Sequence, residues 1–158
     1  MKKVFRWEVL RWVVLVVAVA VVVIQFVPVA RPLNPPVTSE VPASPEVRTI
    51  LRRACYDCHS NETVWPWYSK VAPVSWLVAK DVREGRAELN FSTWDQYNTK
   101  EQAKKLRESF EEVAEGEMPP WIYKPLHRDA VLSAQDRSAL RRWALGELPR
   151  EDSSGREN

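Results

Sequence analysis

The segment from Trp12 to Ala30, WVVLVVAVAVVVIQFVPVA, holds one polar residue, Gln25, and no charge. A helix this apolar around its whole circumference has no face to show water, so it divides the chain into a part on one side of a membrane and a part on the other. Rising about 1.5 Å per residue it would reach about 28 Å, close to the thickness of a bilayer's hydrocarbon core. Lys2, Lys3, Arg6 and Arg11 precede it, and the positive-inside rule keeps that basic end in the cytoplasm and sends the remainder across. A cleaved signal peptide shares the basic start, and Ala18-Val19-Ala20 has the small-x-small form of a cleavage site. Cleavage there would leave Val21 to Val27 as a hydrophobic N-terminus on a soluble protein, so the run is read as an uncleaved anchor. The expected organisation is a basic cytoplasmic stretch over 1–11, a transmembrane anchor over 12–30, a proline-rich tether over 31–44, one domain over 45–148 and a polar tail over 149–158.

Residues 31–45, RPLNPPVTSEVPASP, carry five prolines. A segment of this kind stays extended at about 3.1 Å per residue and could hold the domain up to roughly 45 Å from the bilayer. Net charge is only +2, which gives nucleic acid nothing to recognise. Eight tryptophans are many for 158 residues, and large flat side chains suit the enclosure of a core or a flat cofactor.

Beyond the tether the pattern is helical. Ser44-Pro45-Glu46 is a helix start, with Ser as cap, Pro at the first position and an acid in the first turn, and Val47, Ile50, Leu51 and Ala54 form one apolar stripe. Pro73 opens a second helix with Val74, Leu77, Val78 and Val82 inward, ending near Gly85. Thr99 with Gln102 predicts a capping box for a third, whose stripe is Ala103, Leu106, Phe110 and Val113 before the stop at Gly116. Ser133 with Asp136 caps the last, with Leu140, Trp143 and Ala144 inward before Gly146. The short run Asn90-Phe91-Ser92-Thr93-Trp94 matches no element. No segment alternates with period two, so the expected class is all-α, four helices with the first and last of the domain packed together.

The first of these helices runs into Cys55-Tyr56-Asp57-Cys58-His59. Two thiols three residues apart with a histidine directly after the second is the pattern of covalent haem attachment, the thiols adding to the two vinyl groups and His59 coordinating the iron from one face. A thiol redox pair or half of a zinc site are the competing readings. The chain has only these two cysteines and one other histidine, His127, so a closed zinc site would need every soft ligand across a long loop. Trp65, Trp67 and Tyr68 come shortly after the motif and are expected in a loop packed on the cofactor, against the plainer role of covering an ordinary core. Met118, in Glu117-Met118-Pro119-Pro120-Trp121, is the expected sixth ligand, since a thioether is a soft iron ligand. Gap-filling in the core, His127 as the ligand, and an open position are its alternatives.

CYDCHSNETVWPWYSKVAPVSW, then FSTW, EMPPWIYKPLHRDAVLS and a helix containing RRWA, resemble the bacterial haem-binding domain family over about residues 45–147. The resemblance implies a small cytochrome c-like helical domain behind an N-terminal membrane segment. It also implies one haem c attached through Cys55 and Cys58, His59 as axial ligand, and, by likeness to the Met-Pro element of c-type cytochromes, Met118 as the other. The function expected is single-electron transfer between membrane or periplasmic redox partner proteins, on the outer face of the bacterial cytoplasmic membrane, with no small-molecule substrate. A haem-based sensor with a labile sixth position, a small peroxidase and a haem-free thiol oxidoreductase are the other classes.

Overall fold

The computed structural model describes residues 2–146, with side chains from residue 6 onward; the polar tail expected over 149–158 lies outside the described residues. The described residues are all-helical: α1 (Lys2–Ile24), α2 (Pro45–Ala54), α3 (Tyr56–His59), α4 (Val74–Glu88), α5 (Thr99–Glu115) and α6 (Ala134–Leu145), with 3-10 turns at Trp67–Lys70, Trp94–Gln96 and Arg128–Ala130. The apolar helix stops at Ile24 rather than continuing to Ala30 and is exposed from Arg6 to Val23. Gln25 to Val27 form the turn that ends it, ahead of Pro28, which has no amide hydrogen to continue a helix.

In the domain, α2 begins as its sequence dictates. The Ser44 hydroxyl accepts from the Val47 amide, and Val47, Ile50, Leu51 and Ala54 are all buried. Its partners include α6, so the first and last helices of the domain do meet. The predicted cap of α5 is displaced by one residue: Asn98 and Glu101, not Thr99 and Gln102, form the capping box. An Asn side chain reaches the free amides of the first turn as well as a Thr hydroxyl does, and here it lies one position earlier. α6 has the expected Ser133/Asp136 box, and both α5 and α6 end on a left-handed glycine, Gly116 (φ 88°) and Gly146 (φ 65°).

α4 departs from its pattern in two ways. It runs past Gly85 to Glu88, and its buried face is Ser75, Ala79 and Val82, while Val74 and Leu77 remain 41% and 40% exposed. The small residues face inward because this helix lies unusually close to the Cys55–His59 turn. A Cβ on Gly85 would stand 2.7 Å from the Cys58 carbonyl oxygen.

The core centres on the short segment that matched no element. Phe91, 2% exposed, stacks on Tyr56 (5.7 Å between centroids) and on Trp94 (6.5 Å), with Trp143 at 6.4 Å. Its amide donates to the His59 carbonyl (2.8 Å) and its carbonyl accepts from the Val41 amide (3.0 Å). That second bond belongs to a series that draws the proline-rich stretch onto the domain. Thr38 and Ser39 donate to the Ser92 carbonyl, Trp94 donates to the Ser39 carbonyl, Asn61 donates to the Pro36 carbonyl, and Val41 is 1% exposed. Instead of an extended spacer, residues 33–41 are a strap, because backbone groups without a helix or sheet of their own find partners on Phe91, Ser92 and Trp94.

Candidate functional site

The Cys55–His59 turn is built by the end of one helix and the start of another. α2 closes with the Cys55 amide donating to the Leu51 carbonyl (2.8 Å), and the Cys55 carbonyl then accepts from the amides of Cys58 (3.2 Å) and His59 (2.9 Å). This single turn brings both thiols and the imidazole to one place. Both cysteines are unbridged, and burial, ahead of the neighbouring thiol or carboxylates, pushes each thiol from 9.0 up to about 12. A redox-active pair needs the opposite, a thiolate favoured at neutral pH. Nor is a zinc site formed: among the described residues, no group of three or more His, Cys, Asp or Glu side chains is placed to hold a metal.

His59 Nδ1 lies 3.0 Å from the Leu89 carbonyl oxygen, at the end of α4. A carbonyl only accepts, so Nδ1 carries the proton and Nε2 holds the lone pair. Burial holds the imidazole below its ordinary range, which keeps it neutral. A neutral ring with one nitrogen pinned to the main chain has a fixed orientation and a free lone pair, which is what a metal ligand requires.

Around this turn the side chains form a second ring. The Tyr123 hydroxyl donates to Asp57 Oδ2 (2.8 Å), its ring stacks on His127 (3.9 Å, 8° between planes), and His127 Nε2 shares a hydrogen bond with the Tyr68 hydroxyl (2.6 Å). Burial raises both phenols above their ordinary value, followed for Tyr123 by its hydrogen bond to Asp57 and for Tyr68 by the charge of Asp57, so both remain neutral. Of the aromatic residues singled out in the sequence, Tyr68 therefore stands beside the motif. Trp65 instead carries the Arg31 guanidinium over its ring (5.7 Å), and Trp67 is 73% exposed. Met118 comes just after the Gly116 stop, its amide on the Glu112 carbonyl (3.2 Å), and packs against the hydrophobic cluster that Cys55 also touches.

Three features of the site escaped the sequence. The Leu89 carbonyl is main chain and leaves no trace in a side-chain pattern. The Asp57–Tyr123 bond joins residues 66 positions apart. Gly85 did leave a signal, since a glycine inside a helical stripe points to close packing as well as to a helix end.

Residues 19–145 match the family model described as Haem-binding domain. No curated protein and no solved structure matches the chain. With most of the described domain inside that match, from the end of the apolar helix through α6, the chain belongs to the haem-binding domain family.

Proposed function

We propose that Cys55 and Cys58 would hold one haem c through thioethers and His59 Nε2 would bind its iron, and that the protein carries single electrons on the outer face of the membrane that α1 spans. The observation that carries this reading is the Nδ1 contact of His59 with the Leu89 carbonyl, made directly beside two unbridged thiols. That donor set fits the group: two unbridged cysteines three residues apart, and an imidazole whose remaining nitrogen is the basic one. When bound, the haem supplies a one-electron couple.

The chain's own residues hold and orient. Gly85 lets α4 lie against the Cys58 carbonyl, and Leu89 fixes the imidazole plane. Tyr123 gives the Asp57 carboxylate a hydrogen-bond partner beside the thiols. For the sixth position Met118 is favoured over His127, because His127 Nε2 is already engaged by Tyr68 while its ring lies flat on Tyr123. The thiol oxidoreductase reading loses ground on the raised thiol pKa values.

The test is intact-mass analysis and haem staining of the denatured chain, produced with haem-ligation machinery and recovered from carbonate-washed membranes. One haem of added mass, lost in Cys55→Ala/Cys58→Ala, is expected. The bare chain mass with two titrating thiols refutes the reading.

A further inference from the structure

The end of α1 is bonded to the domain. Gln25 Nε2 donates to the Ala72 carbonyl (3.1 Å) and Gln25 Oε1 accepts from the Ala72 amide (3.0 Å), so one side chain satisfies both main-chain groups of Ala72. An unpaired amide side chain at the edge of hydrocarbon is costly, and Ala72 takes the place of water there. Further along, Arg83 donates to the Ala30 carbonyl (3.3 Å), and Arg86 donates to the Leu33 carbonyl (2.5 Å) and to Asn34 Oδ1 (2.6 Å). The chain therefore leaves α1 and lies on the domain with no free length between them.

Gln25 directly succeeds the apolar helix Arg6–Ile24, which places it where hydrocarbon gives way to headgroups. Ala72, bonded directly to it by two hydrogen bonds, must lie at nearly the same depth. The residues flanking it are apolar, aromatic and basic: Trp67 (73% exposed), Lys70 (exposed), Val71 (43%) and Val74 (41%). The stretch 64–74, VWPWYSKVAPV, contains no acidic residue. Beside it, Arg31 sits over the ring of Trp65. The exposed indole of Trp67 and the two valines beside Lys70 and Arg31 have the chemistry of the interfacial zone, where ring and aliphatic surface enter the acyl boundary and Lys or Arg meets phosphate; the Asp57 carboxylate, bonded to the Val64 amide at one end of the stretch, is also engaged by Tyr123.

We infer that the lip formed by Trp65, Trp67, Lys70, Val71 and Val74 is seated in the headgroup layer of the same bilayer that α1 spans, so that the haem domain is held in one orientation against the membrane. This rests on the reading of α1 as a membrane span. The occupant of the surface is lipid, because the lip is continuous with the end of that span.

The full chain is reconstituted in vesicles of phosphatidylethanolamine and phosphatidylglycerol, with the photoreactive residue p-benzoylphenylalanine placed in turn at Trp67, Val74, Val16 and Lys104. Lys104 lies on the exposed face of α5. After irradiation, mass spectrometry is expected to find lipid adducts at positions 67, 74 and 16 and only background at 104. Lipid adducts at 16 with none above the level of 104 at positions 67 and 74 overturn the inference and leave the span intact. Absence of lipid adducts at 16 removes the span, and the seated lip with it.

Discussion

Gly85→Ala tests how closely α4 approaches the cysteine turn. The added methyl would meet the Cys58 carbonyl oxygen at 2.7 Å and the carbonyl carbon and Cβ of Cys58 each at 3.2 Å. An ordinary carbon–oxygen contact is about 3.3 Å, so the helix or the turn must give by roughly 0.6 Å. Main-chain atoms tied by the Cys55 carbonyl bonds cannot rotate away as a side-chain end would. Overpacking against main chain that cannot turn aside lies in the upper part of the usual range, about 2–3 kcal/mol, and Ala recovers about 0.5–1 kcal/mol over Gly in a helix interior, which leaves a net loss of about 1–2.5 kcal/mol. For a domain near 100 residues that lowers the melting temperature by roughly 5–15 °C. Thermal unfolding monitored by far-ultraviolet circular dichroism measures it, and Gly85→Val should be worse again because the obstacle is steric. Gly116→Ala supplies the contrast. Nothing lies within 4 Å of its Cβ position, and its cost arises from φ +88° alone, so Gly116→Asn recovers part of it where Gly85→Asn does not. A Gly85→Ala protein as stable as wild type, or more so, would show that helix propensity is unopposed and that the close approach is wrong.

Arg86→Ala removes donors to the Ser60 and Leu33 carbonyls, Asn34 Oδ1 and Thr63 Oγ1; a loss of about 2–3 kcal/mol is expected. Proteinase K should then cut within residues 31–41, and an unchanged digestion pattern counts against the strap. Asp136, hydrogen-bonded first by Arg53 (2.6 Å) and then by Ser133, has its carboxyl held down to about 2 from 3.8. Because the folded value is depressed, its contribution is complete above about pH 4 and disappears as pH falls through about 2. Asp136→Asn should therefore cost about 1 kcal/mol at pH 7 and converge on wild type in acid, as read from urea midpoints across pH. Met118→Ala should convert a low-spin absorption spectrum to high-spin, whereas His127→Ala leaves it low-spin. The reverse result exchanges their roles.

Much of this protein is local, and what is local can be read along the chain. Apolar stripes at helical spacing, Ser44 and Ser133 as caps, Gly116 and Gly146 as stops, the uninterrupted run before Pro28 and the spacing of Cys55, Cys58 and His59 all depend on neighbours within a few positions. Those features determined the helical class, the order of the elements and the place of the candidate site, although the apolar run read as far as Ala30 ends as a helix at Ile24. Only tertiary contacts decided the rest. The proline-rich stretch became a strap because the main chain at Phe91 and Ser92 offered partners from a segment with no periodicity of its own. The inward face of α4 became Ser75, Ala79 and Val82, since close approach rewards small side chains over apolar ones. The nitrogen of His59 that keeps its lone pair was decided by a carbonyl 30 residues away. Main-chain groups are the same at every residue, so where they pair at long range is set by packing and leaves no mark in the order of side chains.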